Sequence, residues 1–160
     1  MPSKPRDAAR VRVFPPGVPL ITILLGQLLQ RFRPIAPSLE LPPLIRYGLG
    51  GAIVLGAVMG LGYRAVRTMR GTGQDENPWK PTPSVIESGP YRFTRNPMYL
   101  QLVIVCIGSA ILLRNPWILL LTPVAAGVLQ HLAIRPEEEY LERKFGETYL
   151  AYKRRVRRWL

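Results

Sequence analysis

NPMYLQLVIVCIGSAILLRNPWILLLTPVAAGVLQHLAI, residues 96–134, carries one formally charged side chain, Arg114, between apolar runs of 18 and 20 residues (96–113 and 115–134). At about 1.5 Å of rise per residue, each run is long enough as a helix to cross most or all of a hydrocarbon core of about 30 Å. Only Arg114, Asn115 and Pro116 join the two. A link that short makes an antiparallel hairpin, and a hairpin returns both of its ends to one membrane face. Two polar clusters flank it, Gly89–Tyr99 before and Arg135–Glu139 after, so they come back within contact of each other.

Working outward, two further runs lack Asp, Glu, Lys and Arg: 13–30, with 18 residues, and 47–63, with 17. The expectation is an all-α integral membrane protein with about four transmembrane helices. The first run is the weakest, because Pro15, Pro16 and Pro19 leave only about residues 20–30 as clean helix. Its basic start and short apolar core also fit a signal peptide, but no small-x-small cleavage site precedes Gln30, so it reads as a retained anchor. Residues 1–12 form a basic, disordered arm, and 13–160 a single membrane domain. The second run has a small residue every fourth position, Gly48, Ala52, Gly56 and Gly60, a ladder that lets a neighbouring backbone approach closely. Gly60, Gly62 and Ala65 match the G-x-G-x-x-A dinucleotide pattern, but that motif acts between a strand and a helix start, and here it ends a membrane helix. The stretch GTGQDENPWKPTPSVIESG, 71–89, reads as loop. Pro123 removes one hydrogen bond from the fourth helix and is expected to kink it.

Beyond the hairpin, Leu141, Phe145, Tyr149, Tyr152, Val156 and Trp159 recur at helical spacing among arginines and lysines. This predicts a C-terminal amphipathic interfacial helix, with Gly146 as a break. Trp79, Trp117 and Trp159 read as interface anchors.

Charge sets the orientation. Of 22 Lys and Arg residues, 18 lie in the N-terminal arm, the segment after the second helix and the tail, whereas only Arg31, Arg33, Arg46 and Arg114 fall on the opposite face. Basic flanks stay cytoplasmic, so both termini are expected there, in the inner membrane if the source is a bacterium. The net charge of +12 then reflects this bias and attraction to anionic membrane lipids. Nucleic acid is not an expected partner, since the basic residues are dispersed around membrane segments. Cys106 is the only cysteine and His131 the only histidine, which excludes an internal disulfide and argues against a metal site.

The polar clusters carry a resemblance. GPYRFTRNPMY, a hydrophobic hairpin and then PEEEYLERKFGETYLAYKRRV are similar to the isoprenylcysteine carboxyl methyltransferase and phospholipid methyltransferase group, whose pattern is R-H-P-x-Y, a hydrophobic stretch, E-E and L-x-x-x-F-G-x-x-Y-x-x-Y. The likeness spans about residues 85–156, the expected cofactor-site portion. Carried over, Arg95, Pro97 and Tyr99 occupy the first motif, Glu137 and Glu138 are the paired acids, and Leu141, Phe145, Gly146, Tyr149 and Tyr152 follow. The resemblance implies S-adenosylmethionine as cofactor and a lipophilic methyl acceptor, an isoprenylcysteine-type carboxylate or a phospholipid amine, entering from the bilayer. It implies catalytic roles for Arg95 and Glu138, and cofactor binding by Tyr91, Arg95, Asn96, Pro97, Tyr99, Glu137, Glu138, Tyr149 and Tyr152; His131, one turn before Arg135 near the cytoplasmic end of the fourth helix, is added by its position, as a residue that lines the cofactor cavity or simply makes a hydrogen bond. Asn96 stands where the group has histidine. An amide keeps a donor and an acceptor but cannot take a proton near neutral pH.

The residue types suit methyl transfer, in which alignment and exclusion of water do most of the work. Acids fit the cofactor's ammonium group, arginine its carboxylate, and tyrosine faces its adenine or sulfonium. Taken singly, Pro136 before three glutamates is also a helix start, and the arginines and tyrosines are interfacial anchors. Two other functions compete: an NADPH-dependent membrane reductase related to sterol reductases, and a non-catalytic adaptor whose arginine-rich tail binds anionic lipid. The 18-to-4 division of basic residues makes a direct prediction. Reporter fusions at either terminus should report the cytoplasm, and a C-terminus found outside would overturn the helix count.

Overall fold

The structure, a computed structural model, describes residues 8–37, 40–77 and 79–160. Most of the basic arm, residues 1–7, therefore lies outside the described residues. Among those described the secondary structure is helical, with no strand. Helix α1 spans Gly17–Phe32, α2 Pro43–Gly71, α3 Pro97–Leu112, α4 Pro116–Phe145 and α5 Glu147–Arg155.

Prolines set the starts. Pro15 and Pro16 precede α1, and Pro19 sits in its first turn, where the missing N–H has no partner to lose. Pro43, Pro97 and Pro116 each open a helix for the same reason. The hairpin link is as short as expected. Arg114 takes a left-handed φ of 50°. Asn115, 1% exposed, accepts from the Ile118 N–H and donates Nδ2 to Gln27 Oε1 at 2.6 Å, which ties the turn to α1.

Two helices, α2 and α4, are long and apolar enough to cross a membrane. The other two, α1 and α3, have 16 residues each, about 24 Å at 1.5 Å per residue. The four expected crossings thus reduce to two helices of full length and two shorter apolar ones. Only 11% of the apolar window of α2 is buried inside the protein. Leu44, Leu55 and Met59 on α2, Leu24 and Leu28 on α1, and Leu120 and Val124 on α4 all stand exposed. So much outward apolar surface suits a solvent of lipid tails, not water.

The helices pair as α2 with α3 and α1 with α4, around the hairpin. Close approach is made by a different glycine from those of the expected ladder. A Cβ on Gly50 would lie 2.7 Å from Leu112 Cγ and 3.0 Å from Gly108 O, and one on Gly108 would lie 3.1 Å from Gly50 O. Gly48, Gly56 and Gly60 have nothing within 4 Å, so the ladder faces away from the protein.

Both long helices outrun their apolar sequence. The α2 helix continues through a π-type stretch, Ala57–Tyr63, and then Arg64–Gly71, burying Ala65 and Met69. Arg64, Arg67 and Arg70 are thus helical, not loop. The G-x-G-x-x-A pattern lies within this continuous helix. Helix α4 runs on past Pro123, and past Pro136 after a second π-type stretch, Gln130–Ile134. Pro136 has no N–H to offer the Leu132 carbonyl one turn back. That carbonyl instead accepts from Arg12 N–H at 2.9 Å. The bond docks residues 8–12 onto α4, with Ala9 and Val11 buried among Leu129, Ala133, Ile134 and Tyr140. The described end of the arm is therefore part of the core.

Gly146, at φ 53°, makes the expected break before α5. The tail departs from expectation beyond it. Helix α5 ends at Arg155, Val156 is extended, and Tyr149 and Tyr152 are buried against the protein, so their face does not meet lipid. Gly50→Leu should cost about 1–3 kcal/mol by overpacking the α2–α3 contact, read as a lower unfolding midpoint in detergent. Gly48→Leu should leave the midpoint nearly unchanged; equal losses would mean the Gly50 contact does not join these helices.

Candidate active site

The turn leading into α3 is built from Ser88 to Asn96. A 3₁₀ turn, Gly89–Arg92, carries Tyr91, and Thr94 behind it is fully buried. The Thr94 hydroxyl accepts from the Asn96 N–H at 3.2 Å and donates to Arg158 O at 3.0 Å. Asn96 Nδ2 donates to the same carbonyl at 3.1 Å, and Arg95 N–H donates to Arg157 O at 3.0 Å. Residues 157 and 158 of the extended tail therefore lie along the turn.

Glu138 sits at the centre of this contact. Its carboxylate meets Arg95 Nη2 at 3.1 Å and Arg158 Nη2 at 2.6 Å, with Arg158 Nε at 3.2 Å from both oxygens. The side chains of Arg95 and Glu138 are 7% and 5% exposed, so the pair is buried. A carboxylate so far from water needs its charge met, and the two guanidiniums meet it. The hydrogen bond to Glu138 raises the Arg158 pKa. Arg95 Nη1 also donates to Lys153 O at 3.1 Å, fixing the guanidinium against α5.

Glu137, one residue earlier, points elsewhere. It is partly exposed, lines a cavity of about 380 Å³ and accepts from the Tyr99 hydroxyl at 2.8 Å. Tyr91, Arg95, Asn96, Pro97 and Tyr99 line the same cavity. A smaller space of about 50 Å³ shares Tyr91, Arg95, Asn96 and Glu137 with it and adds Glu138, Tyr149 and Tyr152. Tyr152 donates its hydroxyl to Tyr91 O at 2.8 Å. Burial pushes the phenols of Tyr91, Tyr149 and Tyr152 well above the ordinary tyrosine value, so they remain neutral donors.

Nine of the ten residues drawn from the sequence thus converge on two adjoining spaces. His131 does not. It lines a separate basic cavity with Arg12 and Arg135.

The last turns of α2 and the segment after it supply what sequence reasoning missed. Met69, Gln74, Asp75 and Trp79 line the larger cavity. Trp79, expected as a membrane anchor, stacks on Phe14 and donates Nε1 to Val11 O at 3.1 Å, folding the segment over the N-terminal strand of residues. Two polar atoms in these walls are buried with no hydrogen-bond partner among the described residues, Arg95 Nε and Gln74 Oε1. One is a donor and the other an acceptor. Gln74 sat in an ordinary polar loop, and Arg158 on the basic side of the tail's helical pattern, so neither carried a motif.

Residues 46–148 match the family described as phospholipid methyltransferase. A protein of Haemophilus influenzae described as uncharacterized is 40% identical over 63 residues, which are 39% of this chain and the whole of that protein. No solved structure matches the chain.

Arg158→Ala removes one of the two cations of Glu138 and should cost about 1.5–3 kcal/mol, with Arg158→Lys intermediate because it loses the fork. Thermal unfolding in detergent measures it. An unchanged midpoint for Arg158→Ala would mean that the tail contact does not hold the site.

Proposed function

The chain belongs to the phospholipid methyltransferase family, a membrane-associated methyltransferase family acting on lipid-related substrates, and on that premise we propose S-adenosylmethionine as the donor and a lipophilic acceptor reaching the cavity from the bilayer. The observation that carries the reading is the pair of unpartnered atoms in the cavity walls. Buried polar groups are almost always satisfied. A free amino-acid end, with a carboxylate and an ammonium, is the complement of a buried donor at Arg95 Nε and a buried acceptor at Gln74 Oε1. The cofactor's methionine portion has that end. A cavity of about 380 Å³ also falls in the range of small-molecule pockets, about 300–1,000 Å³.

Bound there, the cofactor supplies a methyl group made electrophilic by its sulfonium. The chain's own residues bind, orient and exclude water. Arg95 takes the carboxylate, Gln74 the ammonium side, and Tyr91 and Tyr99 offer aromatic faces. Tyr149 and Tyr152 close the smaller space behind them. Glu138 is a positioning residue in this reading: two guanidiniums already satisfy it, and its task is to hold Arg95. Asn96 and Pro97 set the turn, with the Asn96 amide given to Arg158 O, a role that an amide fills without titrating.

The family points to a phospholipid amine ahead of an isoprenylcysteine-type carboxylate. An amine must lose a proton before it attacks, and of the carboxylates lining the cavity Glu137 can receive it, since Asp75 and Glu76 are paired with Lys80 and Arg70. A carboxylate acceptor would need no base. The reading keeps all four apolar helices in the bilayer, since α1 and α3 pack alongside the two long ones.

Calorimetry on the full chain in detergent should find binding of S-adenosylmethionine and of its demethylated product. Gln74→Leu should weaken both by about tenfold or more while leaving the unfolding midpoint unchanged, because Gln74 Oε1 has no hydrogen-bond partner to lose among the described residues. Glu137→Gln should keep cofactor binding within about tenfold and suppress methyl transfer to phosphatidylethanolamine vesicles. No heat with either ligand from folded protein would sink the proposal.

A further inference from the structure

On the other side of α4 lies a cavity unconnected with the reaction. It is open, about 830 Å³ in volume, and lined by Arg10, Arg12, Arg135, Arg143 and Lys144, with Glu139 the one acid lining it among the described residues. Two elements bring the cations together. His131, Arg135, Glu139 and Arg143 recur every fourth residue and share a face of α4. Arg10 and Arg12 come from the N-terminal segment, which the Arg12–Leu132 backbone bond fixes while Ala9 and Val11 are buried between them. The alternation of that segment, buried at 9 and 11 and exposed at 10 and 12, is what turns both arginines outward.

Among the described residues, Arg10, Arg12, Arg135 and Arg143 have no ion pair and no side-chain hydrogen bond. The tail is the opposite case: Arg154, Arg155 and Arg158 each meet an acid. Four guanidiniums gathered around a single carboxylate, none of them paired with it, carry excess positive charge, and their planar donor forks match phosphate oxygens. The position of the cavity adds a second indication. Leu120 and Val124 stand exposed on α4, Gly127 follows with nothing beyond it within 4 Å, and His131 comes next at the same helical spacing. An outward apolar stripe with a side-chain-free notch thus runs into the cationic cavity where the apolar sequence ends.

We propose that this cavity binds the phosphate of an anionic lipid headgroup, with an acyl chain lying along the Leu120–Val124–Gly127 stripe. The site is separate from the methyl-transfer cavity: α4 and residues 8–12 form the wall between, with Glu137 and Ala9 lining one side and Glu139 and Ala8 the other. It does not depend on the cofactor reading.

The test titrates the full chain in detergent with phosphatidylglycerol, phosphatidylcholine or inorganic phosphate and counts bound species by native mass spectrometry. Near an acidic headgroup each arginine is worth about a fivefold change in affinity, so Arg135→Glu/Arg143→Glu should weaken the first phosphatidylglycerol by at least about tenfold. Arg135→Lys/Arg143→Lys should retain most of it. Arg64→Glu/Arg67→Glu changes net charge equally at exposed positions outside the cavity and should bind as the parent does. Should the Arg135/Arg143 pair fail to fold, Arg10→Ala/Arg12→Ala tests the other wall, since the Arg12 backbone bond survives it. Undiminished phosphatidylglycerol binding by the cavity variants, or an equal loss in Arg64→Glu/Arg67→Glu, would overturn the site. Tighter binding of inorganic phosphate than of phosphatidylglycerol would overturn the lipid assignment.

Discussion

One buried carboxylate organises this protein. Glu138 is out of water, and a charge in that position must be met by charges equally fixed. Arg95 is fixed by the turn before α3 and by a carbonyl of α5, and Arg158 by the extended tail. The hairpin must therefore bring the end of α4 back to the start of α3, α5 must fold against both, and the tail must cross the turn. The four elements meet at the Arg95–Glu138–Arg158 triad, with Arg95 carrying the contact on to α5.

The surroundings follow from a smaller constraint, the missing N–H of Pro136. A helix that passes a proline leaves a carbonyl without its donor, and a backbone acceptor near the bilayer is costly to leave unmet. The π-type stretch Gln130–Ile134 absorbs the change of register, and Arg12 N–H satisfies the Leu132 carbonyl. That bond holds the N-terminal segment against α4, and Trp79 packs on the segment in turn. The cover of the larger cavity thus depends on a proline that contributes no side chain to it.

How much of this was legible in the sequence varied with the kind of signal. Uncharged runs and a three-residue link declare a hairpin outright, and the convergence of Arg95, Tyr99, Glu137 and Glu138 follows from it by geometry. Division of labour between the two acids is invisible in Glu137-Glu138, because neighbours on a helix point about 100° apart and the sequence does not say which faces the cavity. The ladder Gly48, Ala52, Gly56 and Gly60 was conspicuous yet faces outward, while Gly50, outside any repeat, makes the contact. Periodicity carried the tail's helix through Trp159; a bifurcated ion pair to Glu138 outweighs helix continuation once Arg158 can reach it. Arg12 acts through a single backbone bond to a distant partner and Gln74 through an unpartnered oxygen in a cavity wall, and no local pattern announces either.

The tail contact also has a meaning in time. A chain is made from its N-terminus, so the hairpin's sequence is complete 24 residues before Arg158 is added. During that interval Glu138 has Arg95 as its one cation from this triad, and Thr94 and Asn96 lack the carbonyl that joins them. Completion of the polar site therefore waits on the synthesis of a single late arginine, however early the apolar helices have been made.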